Sequence, residues 1–217
     1  MTSSIDIPFA KRFAQLAVGL ACASLCACSV LKPAATTPSS FYALEYARPA
    51  ASQAPAPNVR TSPPTTTLSI SPVRAAAGFD SQRIIYVRES HKLEYFSHSE
   101  WVEAPTRMLG PLLVASIEHT GAFRAVVQSP ASATGELRLD TEVVRLQQEF
   151  LTSPSTVHFT LRAYLVDEKT RKVVIWREFD GAVPTTSDDP KAGVVAANQV
   201  VNNVINDLAQ FLAQRPQ

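Results

Sequence analysis

Cysteine is nearly missing from this 217-residue chain: Cys22, Cys26 and Cys28 lie within seven residues of one another, and none follows between Ser29 and Gln217. Disulfides in the body of the protein are thereby excluded, as is a zinc site with cysteine ligands there. Glycine is scarce as well, with seven in all. There is no GxxxxGK[ST] loop, no GxGxxG turn and no GxSxG elbow, which removes the usual phosphate cradles and the hydrolase nucleophile elbow. Positive charge is not in excess, since 20 Lys and Arg against 19 Asp and Glu leave a net +1. These charges are scattered, so nucleic acid is not an expected partner. The four histidines, His91, His98, His119 and His158, form no HExxH pattern and have no cysteine nearby. No metal and no cofactor are expected.

Long apolar runs are missing too, and the one candidate is informative. Lys11 and Arg12 precede an uncharged stretch from Phe13 to Ala27, shorter than the roughly 20 residues that span a bilayer. A basic n-region followed by an apolar h-region is the layout of an export signal. The run ends in Leu25-Cys26-Ala27-Cys28, the aliphatic, variable, small, cysteine order of a bacterial lipoprotein signal. Cys22 would need Gly19 at the aliphatic position and Cys26 would need bulky Leu25 at the small one, which leaves Cys28 as the lipidation site. Its thiolate takes a diacylglyceryl group, and the amine freed by cleavage takes a further acyl chain; two or three chains make release from a bilayer slow. Residues 1–27 are then a signal peptide, and the mature chain is a periplasmic domain anchored through its N-terminus. Ser29, not aspartate, follows the anchor, which points to the outer membrane.

Residues 28–40, including the Pro, Ala, Ser and Thr of "LKPAATTPSS", read as a tether. A single domain is expected over 41–217, interrupted by a Pro-rich loop at 47–66. "FYALEY" at 41–46 either docks as an edge strand or lies outside the ordered domain, which would then begin near Thr67. "TTLSISPV", "QRIIYVRE" and "KLEYFS" are strand-like. From Ser99 to His119 the apolar period becomes helical, with Ser99 as its expected cap and a bend expected at Gly110-Pro111. Four more strands are expected around 123–127, 135–148, 156–167 and 173–180. In the third of these, Phe159, Leu161, Ala163 and Leu165 alternate with His158, Thr160, Arg162 and Tyr164. A final helix opens with Asp188 or Asp189 as cap and Pro190 in its first turn. Its apolar stripe runs from Val194 to Leu212, with Asn198, Asn202, Asn203, Asp207 and Gln210 placed mostly on the opposite side. The fold class is α+β, a mainly antiparallel sheet with two helices packed on one face.

Catalytic constellations are hard to find. "SHSEW" at 97–101 gathers His98 between two serines and a glutamate, but reads better as the start of a helix with His98 exposed beside it. Asp140, Glu142 and Glu149 read as a solvated sheet face, and Arg83, Arg88 and Arg162 as solvated strand residues. An envelope hydrolase would require His98 or His158 in a cleft with a matched partner.

The order of motifs is distinctive. "SSFYAL" follows the lipidated cysteine, then come "LSISPVR", "RIIYVRESHKLEYFSHSEWVEAP", "VIWREF" and "AANQVVNNVINDLAQFL". Together they resemble the ABC-type transport auxiliary lipoprotein family over about Phe41 to Leu212, apart from the Pro-rich stretch. The resemblance implies a non-enzymatic component of an intermembrane lipid transport system, whose partners are a mammalian-cell-entry domain protein and an ABC permease with its ATPase. It implies a docking role at the membrane, with self-association into a homo-oligomer as a further option. A scaffold or assembly lipoprotein of another outer-membrane or secretion machine is the alternative. Trp101, Tyr86, Tyr95 and Phe96 are candidate partner contacts, because exposed aromatics often anchor interfaces; the competing role for them is to fill the core.

Overall fold

Alternation of inward and outward residues along 137–149, shifted once between Val143 and Arg145, and along 156–167 builds the centre of the molecule. The computed structural model describes residues 38–47, 64–130 and 135–214, so the signal peptide, Cys28 and most of the Pro-rich stretch lie outside the described residues. Ser39–Gln217 forms one compact unit. Its elements are β1 (Ser40–Tyr42), β2 (Thr67–Ile70), β3 (Arg74–Ala75), β4 (Arg83–Glu89), β5 (Lys92–Trp101), α1 (Pro105–His119), β6 (Ala125–Gln128), β7 (Leu137–Glu149), β8 (Thr156–Asp167), β9 (Lys172–Pro184) and α2 (Pro190–Ala213).

Strand β7 is the spine. Along one edge it pairs antiparallel with β8 over its full length, Leu137 opposite Asp167 and Glu149 opposite Thr156, and β8 in turn carries β9 antiparallel. Along its other edge it takes three short strands in succession, all parallel: β2 at Leu137–Leu139, β3 at Glu142–Val143 and β4 at Gln148–Glu149. Beyond them β6 pairs with β2, β5 with β4, and β1 with β5. The sheet is therefore mixed but mostly antiparallel by length, and the fold is α+β. Period-2 alternation does not reveal strand direction, which is why the parallel pairs were not legible beforehand.

Both helices contribute to one core with the inner face of this sheet. Leu139, Val143, Phe159, Leu161, Leu165 and Phe179 meet Leu109, Leu113 and Ile117 of α1 and Val200, Val201, Val204, Ile205, Leu208 and Leu212 of α2. Gly181 marks a close approach, since a Cβ there would lie 2.8 Å from Val200 Cγ2 and 2.9 Å from Val204 Cγ2. Where the helices touch, the buried Ser116 hydroxyl donates to the Ile205 carbonyl at 3.2 Å.

Three sequence expectations are corrected or resolved. The first helix begins at Pro105, not Ser99; Ser99, Glu100 and Trp101 extend β5, with Ser99 and Trp101 buried. Proline disfavours helical backbone in the residue before it and is at home in the first helical turn, so Ala104, with ψ 138°, is the boundary. The helix continues through Gly110-Pro111, and Gly110 lets α1 close on Gln128 of β6. "FYALEY" joins the fold: β1 pairs parallel with β5, and Leu44 is buried. The second helix starts as expected, with the Asp189 carboxylate accepting from the Ala192 N–H at 2.9 Å.

Candidate functional site

The side of β7, β8 and β9 turned away from the helices carries ion pairs in rows. Arg138 reaches Asp140 at 2.9 Å and also Glu168. Arg162 lies between Glu178 at 2.8 Å and Glu142 at 3.3 Å. Arg145 spans Asp180 at 3.0 Å and Glu149 at 3.6 Å. These rows follow from the register, which sets Glu142, Arg162 and Glu178 side by side across three strands. Burial works against the charge on Asp140, yet hydrogen bonds from Arg138 and Ser71 hold its carboxyl below the usual aspartate value. The Thr160 hydroxyl and then Arg145 do the same for Asp180. Asp140, Glu142, Glu149, Glu168, Glu178 and Asp180 meet Arg138, Arg145 and Arg162, Arg171 reaches Glu168 at 3.7 Å, and Arg74 adds positive charge near Asp140, so the array is close to charge-balanced. Asp140, Glu142, Glu149 and Arg162 are thus partnered, not simply solvated.

His158 is the one histidine inside this array, with Nε2 3.5 Å from Glu149; it sits on a sheet surface, not in a cleft with a nucleophile. His98 is exposed. Among the described residues no group of three or more His, Cys, Asp or Glu is placed to hold a metal ion.

A second surface lies on the β4–β5 hairpin, where the candidate contact residues divide. Trp101 is only 3% exposed and belongs to the core; β5 runs two residues past the expected helix start and turns it inward. Tyr86 and Phe96 are half-buried, 4.5 Å apart between ring centroids, and share a cluster with Phe150. The Arg88 guanidinium lies over Tyr86 at 4.8 Å and over Phe150 at 5.7 Å. Tyr95 is exposed and carries Arg83 above its ring at 5.0 Å. Leu93 and Leu151 are exposed as well. Tyr86 pairs with Glu94 and Ile85 with Tyr95, so Arg88, Tyr86, Phe96 and Phe150 lie on one face of the hairpin and Arg83 with Tyr95 on the other; each face holds an arginine over an aromatic ring.

A third feature was not anticipated. The extended chain at 43–47 is held along α2 by two asparagine amides. Asn198 accepts from the Glu45 N–H at 2.8 Å and donates to the Ala43 carbonyl at 3.0 Å. Asn202 accepts from the Ala47 N–H at 2.8 Å and donates to the Glu45 carbonyl at 2.8 Å. Four residues of helix rise about 6 Å, close to the roughly 6.6 Å advance of two residues of extended chain. Asn198 and Asn202 therefore act as a surrogate strand edge. Asn202 is buried, contrary to its expected place on the wet side of the helix; asparagines four apart on a helix are the only signal the sequence offered.

No helix among the described residues is long and apolar enough to cross a membrane. No curated protein matches the chain. The fold is similar to a crystal structure of a DUF330-family protein from Xanthomonas campestris, 24% identical with a TM-score of 0.69, the match covering 80% of this chain and 94% of that one. It is also similar to the crystal structure of an uncharacterised protein, 13% identical with a TM-score of 0.61, covering 81% and 99% respectively. Residues 46–209 match the model of the ABC-type transport auxiliary lipoprotein component family, and on that match, which spans most of its length, the chain belongs to this family.

Proposed function

We propose that this protein is a non-catalytic docking component of an ABC-type intermembrane lipid transport system, anchored by acylated Cys28 to the periplasmic face of the outer membrane. The family match over 46–209 carries the reading, and the lipoprotein signal ending at Cys28 gives it a location. In this account the acyl chains hold the domain at the bilayer, and Asn198 and Asn202 grip the chain where it enters the fold. The arginine and aromatic surface of the β4–β5 hairpin meets a mammalian-cell-entry domain protein that an ABC permease and its ATPase serve. Arginine and tyrosine are enriched among interface residues that dominate binding energy, and Arg88 and Tyr86 beside Phe96 supply them on one face of the hairpin, with Arg83 and Tyr95 on the other. Trp101 has no part in this contact, because the core encloses it.

Affinity capture of the acylated protein from solubilised membranes tests the reading. A mammalian-cell-entry protein with permease and ATPase subunits should copurify, and Arg88→Glu with Tyr86→Ala should lower its recovery about tenfold or more, as loss of an interface anchor does. Recovery of outer-membrane assembly or secretion subunits in its place would overturn it in favour of a scaffold role.

A further inference from the structure

An aromatic side chain stands in the open where the folded domain begins. Phe41 of β1 is 62% exposed, the highest value for a large apolar residue among those described. Register fixes its neighbours: β1 sets Phe41 opposite Glu100 of β5, and β4 sets Arg83 opposite the same Glu100 from the other side. Cross-strand partners share a face, so Phe41, half-buried Glu100 and Arg83 form one row. The Arg83 guanidinium lies over the Tyr95 ring at 5.0 Å. Val102, whose N–H donates to the Tyr42 carbonyl at 2.8 Å, is exposed beside β1. Asn198 holds the chain from Ala43 onward, so the stretch that leads back to Cys28 departs from a fixed point next to Phe41.

We propose that Phe41, with Val102 and the Arg83–Tyr95 pair, is a second point of attachment to the bilayer, resting in the headgroup region of the membrane that holds the acyl chains. The inference rests on acylation of Cys28, and reach selects the occupant. Phe41 follows Cys28 by 13 residues, at most about 45 Å of extended chain. A relaxed chain of that length spans only roughly 20–30 Å, whereas a compact domain of about 180 residues is roughly 40 Å across. Strands β5, β4, β7 and β8 separate β1 from β9, so the exposed Trp176, Val173 and Val174 of β9 meet the bilayer only on a tether near full stretch. The β1 side meets it on a relaxed one. A short tether also gives an effective concentration of order millimolar, so a weak contact is enough to be populated. Aromatic rings suit the membrane interface, and the row carries one guanidinium and one carboxylate, so insertion and not anionic lipid drives the contact. Arg88, Tyr86 and Phe96 lie on the opposite face of the hairpin and stay free for transport docking.

Tryptophan fluorescence tests the contact. The mature protein purified from membranes, with its acyl mass measured, is reconstituted into phosphatidylcholine vesicles that contain lipid with a nitroxide quencher just below the headgroup. Phe41→Trp combined with Trp176→Phe places the probe at the site, and wild type, whose Trp176 is 61% exposed on β9, is the comparison; buried Trp101 is common to both. The variant, with wild-type circular dichroism, should show blue-shifted emission and at least about threefold more quenching than wild type. Equal quenching in the two proteins, or none at position 41 in acylated protein, would overturn the proposal and leave the lipid anchor standing. A bare thiol at Cys28 would instead remove the anchor and this contact with it. A blue shift at position 41 that needs no vesicles and grows with protein concentration would overturn it as well, by assigning the patch to a second copy.

Discussion

Replacing Asn202 with alanine removes the inner half of the grip on residues 43–47. The amide accepts from the Ala47 N–H and donates to the Glu45 carbonyl, both at 2.8 Å. A neutral hydrogen bond contributes about 0.5–1.5 kcal/mol net, so the loss is about 2 kcal/mol for the segment. Water can reach exposed Glu45 and Ala47 once the segment lifts, which keeps the cost from rising further. Leu44, 6% exposed, and the pairing of β1 with β5 still hold the upstream part. The effect should therefore be local. Hydrogen exchange read by mass spectrometry should show amides at 45–47 exchanging about 30-fold faster, as about 2 kcal/mol of local opening requires, while peptides from β8 and α2 keep their protection. Unchanged exchange at 45–47 would refute the surrogate strand edge. Equal acceleration throughout would mean that Asn202 supports the helix itself and not the attached chain.

Three other perturbations probe other parts of the account. Gly193→Ala places a Cβ 2.8 Å from Gln148 Cδ and overlapping its Oε1; the buried glutamine is fixed by Ser155, so overpacking of about 1–3 kcal/mol should exceed the gain of about 1 kcal/mol from alanine in a helix, and Tm should fall. Asp140 and Asp180 have carboxyls held below their ordinary values in the folded state. Their contribution is complete above the unfolded aspartate pKa near 3.9 and is lost as pH falls through the lower folded values; thermal melts should show less acid sensitivity below about pH 4 in Asp180→Asn, and an unchanged pH profile would contradict the ion-pair reading. Cys28→Ala should leave the domain exported but recovered in the soluble periplasmic fraction, and retention in the membrane pellet would count against acylation at that residue.

Most of the secondary structure was legible because it rests on local patterns. The alternation along 156–167 and the Asp189-Pro190 start of α2 are read directly from neighbouring residues. The start of α1 was misplaced because Trp101 falls in phase with Met108 and Leu112, and phase alone cannot say that Pro105 ends the preceding extended run. Pairings between distant segments leave no such trace. That β7 would take three parallel strands on one edge, and that Asn198 and Asn202 would face the chain at 43–47 instead of water, depends on contacts more than 60 residues apart. The candidate contact surface was half legible: Tyr86, Tyr95 and Phe96 fall on one hairpin, but Tyr95 faces the other way with Arg83, and Arg88 and Phe150, which complete the cluster of Tyr86 and Phe96, come from positions with no distinguishing local pattern.

Intact-mass analysis of the mature protein isolated from membranes tests most directly whether this domain works from a bilayer surface. The account predicts a chain beginning at Cys28 and carrying a diacylglyceryl group with an additional acyl chain; a chain starting there with a bare thiol and free amine, or one retaining residues 1–27, would contradict it.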